Sequence, residues 1–152
     1  MSSVDITWRF EPFEELSATE VYALLRLRSE VFVVEQECAY LDPDGLDLSV
    51  WHCLAQRSGT LLAYQRCIPP GVAYQDASAL GRIVVSGAAR GENLGRELVS
   101  RGIAFNRERW PEHPLRIGAQ SYLEAFYASL GFEVCSEPYL EDGIPHIHMQ
   151  LS

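Results

Sequence analysis

Arg82-Ile83-Val84-Val85-Ser86-Gly87-Ala88-Ala89-Arg90-Gly91-Glu92-Asn93-Leu94-Gly95-Arg96 joins an apolar strand to a helix through a glycine-bearing turn. The strand spans residues 79–86, and the helix runs from about Glu92 to Arg109, where Pro111 and Pro114 follow. Leu94, Leu98, Val99, Ile103 and Phe105 mark its buried side. The first amides of a helix have no intrahelical acceptor, and the helix dipole adds positive potential there. A phosphate bound at such a start gains from both. Gly91 and Gly95 let phosphate oxygens approach the backbone, and Arg90 and Arg96 supply charge-assisted donors. The plain alternative is an ordinary strand–helix connection with solvated arginines. The loop is not a Walker sequence, and it lacks the full Gly-x-Gly-x-x-Gly of dinucleotide folds.

On the N-terminal side, residues 4–10 alternate as a half-buried strand does. Ser17-x-x-Glu20 is a capping box opening a helix that carries Val21, Leu24, Leu25, Leu27, Val31 and Phe32. Residues 36–49, with Asp42-Pro43-Asp44-Gly45, read as a loop. Two strands, 50–57 and 60–68, make a hairpin about Ser58-Gly59. Toward the C-terminus a short strand, 115–119, precedes a second capping box, Ser121-x-x-Glu124. Its helix bears Tyr122, Leu123, Phe126, Tyr127 and Leu130 on one stripe and ends at Gly131. Strands 132–140 and 145–151 close the chain around the Glu141-Asp142-Gly143 turn. The order β-α-β-β-β-α-β-α-β-β predicts an α/β (α+β) three-layer domain, a mixed sheet with helices on its faces, as one domain over residues 1–152.

Composition narrows the function. A net charge of −9 disfavours nucleic acid, which needs basic surface. No apolar run reaches the roughly 20 residues of a membrane span, and residues 1–5 do not resemble a secretory signal. Cys38, Cys53, Cys67 and Cys135 form no Cys-x-x-Cys pair, so a disulfide framework is not expected and a cytoplasmic location is. The expected partners are a small-molecule or peptide amine, with neither nucleic acid nor membrane, and a homodimer is compatible with a two-strand C-terminal edge.

The loop at residues 90–95 resembles the Arg/Gln-x-x-Gly-x-Gly/Ala signature of the GNAT superfamily of N-acetyltransferases, with Asn93 where the first glycine is usual. Asn tolerates the left-handed backbone better than most residues. Residues 119–132, ending Phe126-Tyr127-Ala128-Ser129-Leu130-Gly131-Phe132, resemble the family's second element. The segment Leu25–Asp47 and the run Glu141–Ile147 are similar to the ElaA-like branch. This resemblance implies a GNAT-type fold with a mixed, mostly antiparallel sheet, and acetyl-CoA as co-substrate. It implies that Ile83, Val84 and Val85 pair with the pantetheine arm, and that Arg90, Gly91, Glu92, Asn93, Leu94, Gly95 and Arg96 hold the pyrophosphate. Gln120 stands in for a frequent Asn, and Gln120 and Phe126 complete the coenzyme set. Tyr127 is implied as the acid that protonates the departing thiolate; without the resemblance it reads as a core aromatic.

Direct transfer also needs a base. At 100° per residue Arg28 and Glu35 interrupt the apolar face of the first helix, so each faces either a pocket or a structural ion partner. Glu35 and His146 are the base candidates, and the Val85 amide is a candidate oxyanion donor. His146-x-His148 with His52 lacks the ligand spacing of a zinc site, and no metal is expected. Asp42, Asp44 and Asp47 lack the distal glutamate of an EF-hand and read as a solvated turn. The functional expectation is an acetyl-CoA-dependent N-acetyltransferase; the alternative is a non-catalytic acyl-CoA-binding or sensing module.

Overall fold

The computed structural model describes residues 5–152. Strand β1 (Thr7–Pro12) realises the first alternating segment, and the reading at Val4 lies outside the described residues. Helix α1 (Ala18–Arg28) opens on the full Ser17/Glu20 capping box, each side chain bonding the other's backbone amide. Beyond Arg28 the chain winds as a π-helix, Ser29–Glu35, which the apolar spacing does not distinguish from α.

Strands β2 (Trp51–Arg57) and β3 (Thr60–Ile68) form the expected hairpin. Ser58 and Gly59 take φ of 51° and 80°, the positive values that a tight two-residue turn requires. Strand β4 (Ser78–Val85) pairs antiparallel with β3, and helix α2 (Leu94–Arg109) follows. Then come β5 (Leu115–Gln120), the short helix α3 (Glu124–Ala128), β6 (Glu133–Val134), β7 (Tyr139–Glu141) and β8 (Ile144–Leu151).

Two expectations need correction. The strand read over residues 132–140 is two short pieces that pair with different parts of β8, Glu133 facing Gln150 and Tyr139 facing His146. The second capping box does not form, because Ser121 lies inside a 3-10 turn, Ser121–Leu123, that occupies the place of the helix's first turn.

The sheet order is β1-β2-β3-β4-β5-β8-β6, with β7 also on β8. All pairs are antiparallel except β4 with β5. The larger core, with Leu94, Leu98, Val99, Ile117, Tyr127 and Phe132, packs α2 and α3 on one face. A second core of Leu24, Leu27, Val31, Leu54, Tyr64 and Val84 packs α1 on the other. Helices on both faces of a mixed, mostly antiparallel sheet give the three-layer architecture expected from the sequence.

Candidate active site

The parallel pair β4–β5 holds for two rungs only, Ser78↔Leu115 and Ala79↔Arg116. Past them the strands part, while β5 continues on β8 as far as Gln120↔His146. From Leu80 onward β4 therefore has a strand on one edge alone, and its other edge borders a cavity of about 730 Å³. Leu80 to Val85 line one wall and Ile117 to Gln120 the opposite wall. On the α2/α3 face the lining includes Arg90, Gly95, Phe126 and Tyr127; on the α1 face it includes Phe32, Glu35, Tyr40 and Asp44. The cavity thus traverses the sheet through its own split.

Between Tyr64 and Arg66 of β3, strand β4 carries one extra residue, a bulge at which Arg82 takes φ 48°. That left-handed geometry costs about 1–2 kcal/mol for a non-glycine residue. Two hydrogen bonds offset it, since Arg82 donates to the Asp42 carboxylate at 2.8 Å and to the Asp42 carbonyl at 2.9 Å.

The turn between β4 and α2 has left-handed backbone at two positions. Gly91 lies at φ 92° and Asn93 at φ 58°, ψ 24°. Asn93 is the N-cap but its side chain accepts no hydrogen bond from the helix, so among the described residues the first amides of α2 have neither an intrahelical acceptor nor a side-chain cap. A Cβ at Gly95 would stand 3.7 Å from Val85 Cγ2, so the helix start abuts the end of β4.

The other coenzyme candidates are placed as follows. Arg90 ion-pairs with Glu35 at 2.8 Å and donates to the Val85 carbonyl. Arg96 is held by Ser129 at 2.9 Å, which ties α2 to the end of α3. The Glu92 carboxylate turns to Arg57, and the Leu94 side chain is core, which leaves their backbone amides at the turn. Ile83 and Val85 pack toward α2, and Val84 toward α1. Gln120 donates to Gln36 across the cavity.

Tyr127 is 5% exposed and lines the cavity. Among the described residues none hydrogen-bonds its hydroxyl, and Phe126 and Phe132 fix the ring edge-on. Burial, with a smaller contribution from Tyr122, pushes its pKa up to about 12, so the phenol is protonated at neutral pH. His146 is 8% exposed on β8 and also lines the cavity. Its Nδ1 lies 2.7 Å from the Ile144 carbonyl, which only accepts, so in the neutral ring Nδ1 is the protonated nitrogen and Nε2 the one with the lone pair. Tyr139 stacks on the ring at 5.7 Å.

Arg28 is not in the cavity. It is fully buried and paired with Asp42 at 2.8 Å and Asp47 at 2.7 Å. Arg66 pairs with Asp44 and Asp47, and Arg82 with Asp42 and Asp44. The three aspartates are therefore not a solvated turn; they are the acidic half of an ion network with three arginines. Burial, the largest single influence, works against ionisation of Asp44, but the Arg66 hydrogen bond and charge, the Leu46 amide and the Arg82 charge together outweigh it and lower its pKa to about 2. His52 belongs to this network's floor, with Tyr64 on one nitrogen and the Asp47 carbonyl on the other, and neither nitrogen is free for a metal. Among the described residues no group of three or more His, Cys, Asp or Glu is arranged to hold one. In the same residues no helix is long and apolar enough to cross a membrane.

Comparison with known proteins agrees with this geometry. The family described as acetyltransferase (GNAT) domain matches residues 46–152. Protein ElaA of Escherichia coli is 43% identical over 146 residues, 95% of each chain. The crystal structure of ElaA superposes with a TM-score of 0.90 at 42% identity, covering 97% of this chain and 99% of that one. An acyl-CoA N-acyltransferase from Pseudomonas aeruginosa gives 0.92 at 43% identity, covering 97% and all of that chain. A more distant likeness in fold is yncA of Salmonella typhimurium, solved with acetyl-CoA, with a TM-score of 0.71 at 20% identity, covering 97% and 93%.

Proposed function

The chain belongs to the GNAT acetyltransferase family, and on that premise we propose that it transfers the acetyl group of acetyl-CoA directly to the nitrogen of an amine. One observation carries this reading: the parted β4–β5 pair leaves a strand edge free beside a cavity that ends at the uncapped start of α2. A pantetheine arm has amide groups that can pair with such an edge as an added strand does. A diphosphate suits the first amides of α2, with Arg90 beside them. Gly91 and Asn93 give the turn its left-handed backbone.

His146 is the better base of the two candidates. Its Nε2 is free and its tautomer is fixed by Ile144, whereas Glu35 is engaged by Arg90. His146 takes a proton from the acceptor ammonium, and the freed lone pair attacks the thioester carbon. The carbonyl oxygen gains charge near the β4 edge, where the Val85 amide is the donor. As the carbonyl re-forms and the C–S bond breaks, its electron pair stays on sulfur and the Tyr127 hydroxyl supplies the proton, while the newly acylated nitrogen sheds its second proton, which restores the Tyr127 hydroxyl. Cys53 and Cys67 are buried away from the cavity, with burial raising both thiols, so neither suits a covalent acyl intermediate.

Replacing Tyr127 by Phe tests the acid. The variant should bind acetyl-CoA as the wild type does and lose about 100-fold or more in kcat. Unchanged turnover would remove Tyr127 from the chemistry.

A further inference from the structure

Extending the acetyl-transfer reading, on which it rests, we propose that the acceptor is a short aliphatic diamine, acetylated at one nitrogen while the other sits as a cation at the tip of the β7–β8 hairpin. The acidic residues in the cavity lining are Glu35, Asp44, Glu141 and Asp142, and the basic ones are Arg82 and Arg90. Arg90 is taken by Glu35, and Arg82 by Asp42 and Asp44. Glu141 and Asp142 have no cationic partner among the described residues. Both lie at the cavity mouth, where the Cys38 thiol donates to the Asp142 carbonyl and joins the hairpin tip to the loop after α1.

Two polar side chains on buried residues also line the cavity. The His146 Nε2 and the Tyr127 hydroxyl have no hydrogen bond among the described residues, and these two residues are 8% and 5% exposed. Register sets the spacing between these and the acidic tip. Tyr139 faces His146 and Glu141 faces Ile144, so Glu141 and His146 share one side of the hairpin, two residues apart along it. At a strand rise near 3.4 Å this is about 7 Å. A nitrogen placed for deprotonation by His146 therefore has a carboxylate pair within reach of a second ammonium a few carbons away. A monoamine fills the first position and leaves the second empty.

The test compares n-butylamine with the four-carbon α,ω-diamine, measuring kcat/KM for each with acetyl-CoA at low salt. The wild type should favour the diamine about tenfold, as two exposed ion pairs predict, and added salt should erode the preference. Replacing Glu141 by Gln together with Asp142 by Asn should lower the diamine-to-monoamine ratio to near one. Asn suits the φ of 51° at position 142, so the fold is retained. Glu133→Gln with Glu137→Gln, two exposed charge changes off the cavity, controls for net charge and should leave the ratio intact. Equal kcat/KM for the two amines, or a preference that survives the double substitution, overturns the diamine assignment alone. Tight acetyl-CoA binding by calorimetry with no acetylation of either amine likewise overturns this assignment, whereas no binding of acetyl-CoA overturns the transfer reading and the assignment with it.

Discussion

Arg28 lies on the apolar side of α1, fully buried, and a charge there is tolerable only because Asp42 and Asp47 meet it at hydrogen-bond distance. The pairing has a pH signature. Asp44 and Asp47 both have folded-state pKa values held below the ordinary carboxylate value: burial opposes this, and the arginines outweigh it. Groups depressed in the folded state add stability above their unfolded pKa of about 3.9, and that stability is lost as pH falls through the folded value. Denaturation midpoints should therefore be flat near neutrality, decline below about pH 6.5, where the unfolded chain protonates His52 while burial keeps it neutral in the fold, and drop steeply between about pH 4 and 2. Denaturant titrations across that range check this, and a midpoint insensitive to acid would contradict it. A helical wheel alone shows that Arg28 needs a partner or a pocket. The partners were not legible, because Asp42 and Asp47 stand in a loop whose path over the sheet follows from tertiary contacts, and their alternate spacing matches that of a solvated turn.

Among the elements, α2 shows what periodicity reveals and what it misses. Its i, i+4 line of Leu94, Leu98, Gly102 and Asn106 is the buried one, whereas apolarity alone marks Ile103 and Phe105, which are only partly buried. Gly102 sits on that line because Gln65 of β3 fills the space: a Cβ there would come within 2.6 Å of the Gln65 amide. That amide is fully buried and donates to the Leu98 carbonyl, so it cannot swing aside. Gly102→Ala, a helix-favouring change at most exposed sites, should here cost about 1–3 kcal/mol by overpacking. Urea melts measure it, and a stabilised variant would refute the contact. The π-helix Ser29–Glu35 and the split strand after Gly131 leave no mark in the sequence. The first places its apolar residues almost as an α-helix does, and the second depends on which stretch of β8 each piece meets. The turn before α2 was legible because its backbone requirements are local: Gly91 and Asn93 are residue types that tolerate positive φ.

Across the whole molecule, the function proposed here follows from a sheet that does not close. Eight strands pair around β3 and β8, yet β4 and β5 share two rungs and then diverge, with α1 packed on one face and α2 and α3 on the other. On the proposed function, the gap would admit a thioester from the α2/α3 face and an amine from the α1 face, beside His146 and the hairpin tip. The order and type of the elements could be read along the chain, but the divergence could not, because it is a relation between strands thirty residues apart in the sequence rather than a property of either. Amide hydrogen exchange with and without acetyl-CoA tests this arrangement most directly. Protection should rise at residues 81–85 of β4 and 94–96 at the start of α2, with α1 and β1 unchanged. Binding that leaves both segments exchanging as before, or that protects a different surface, would contradict it.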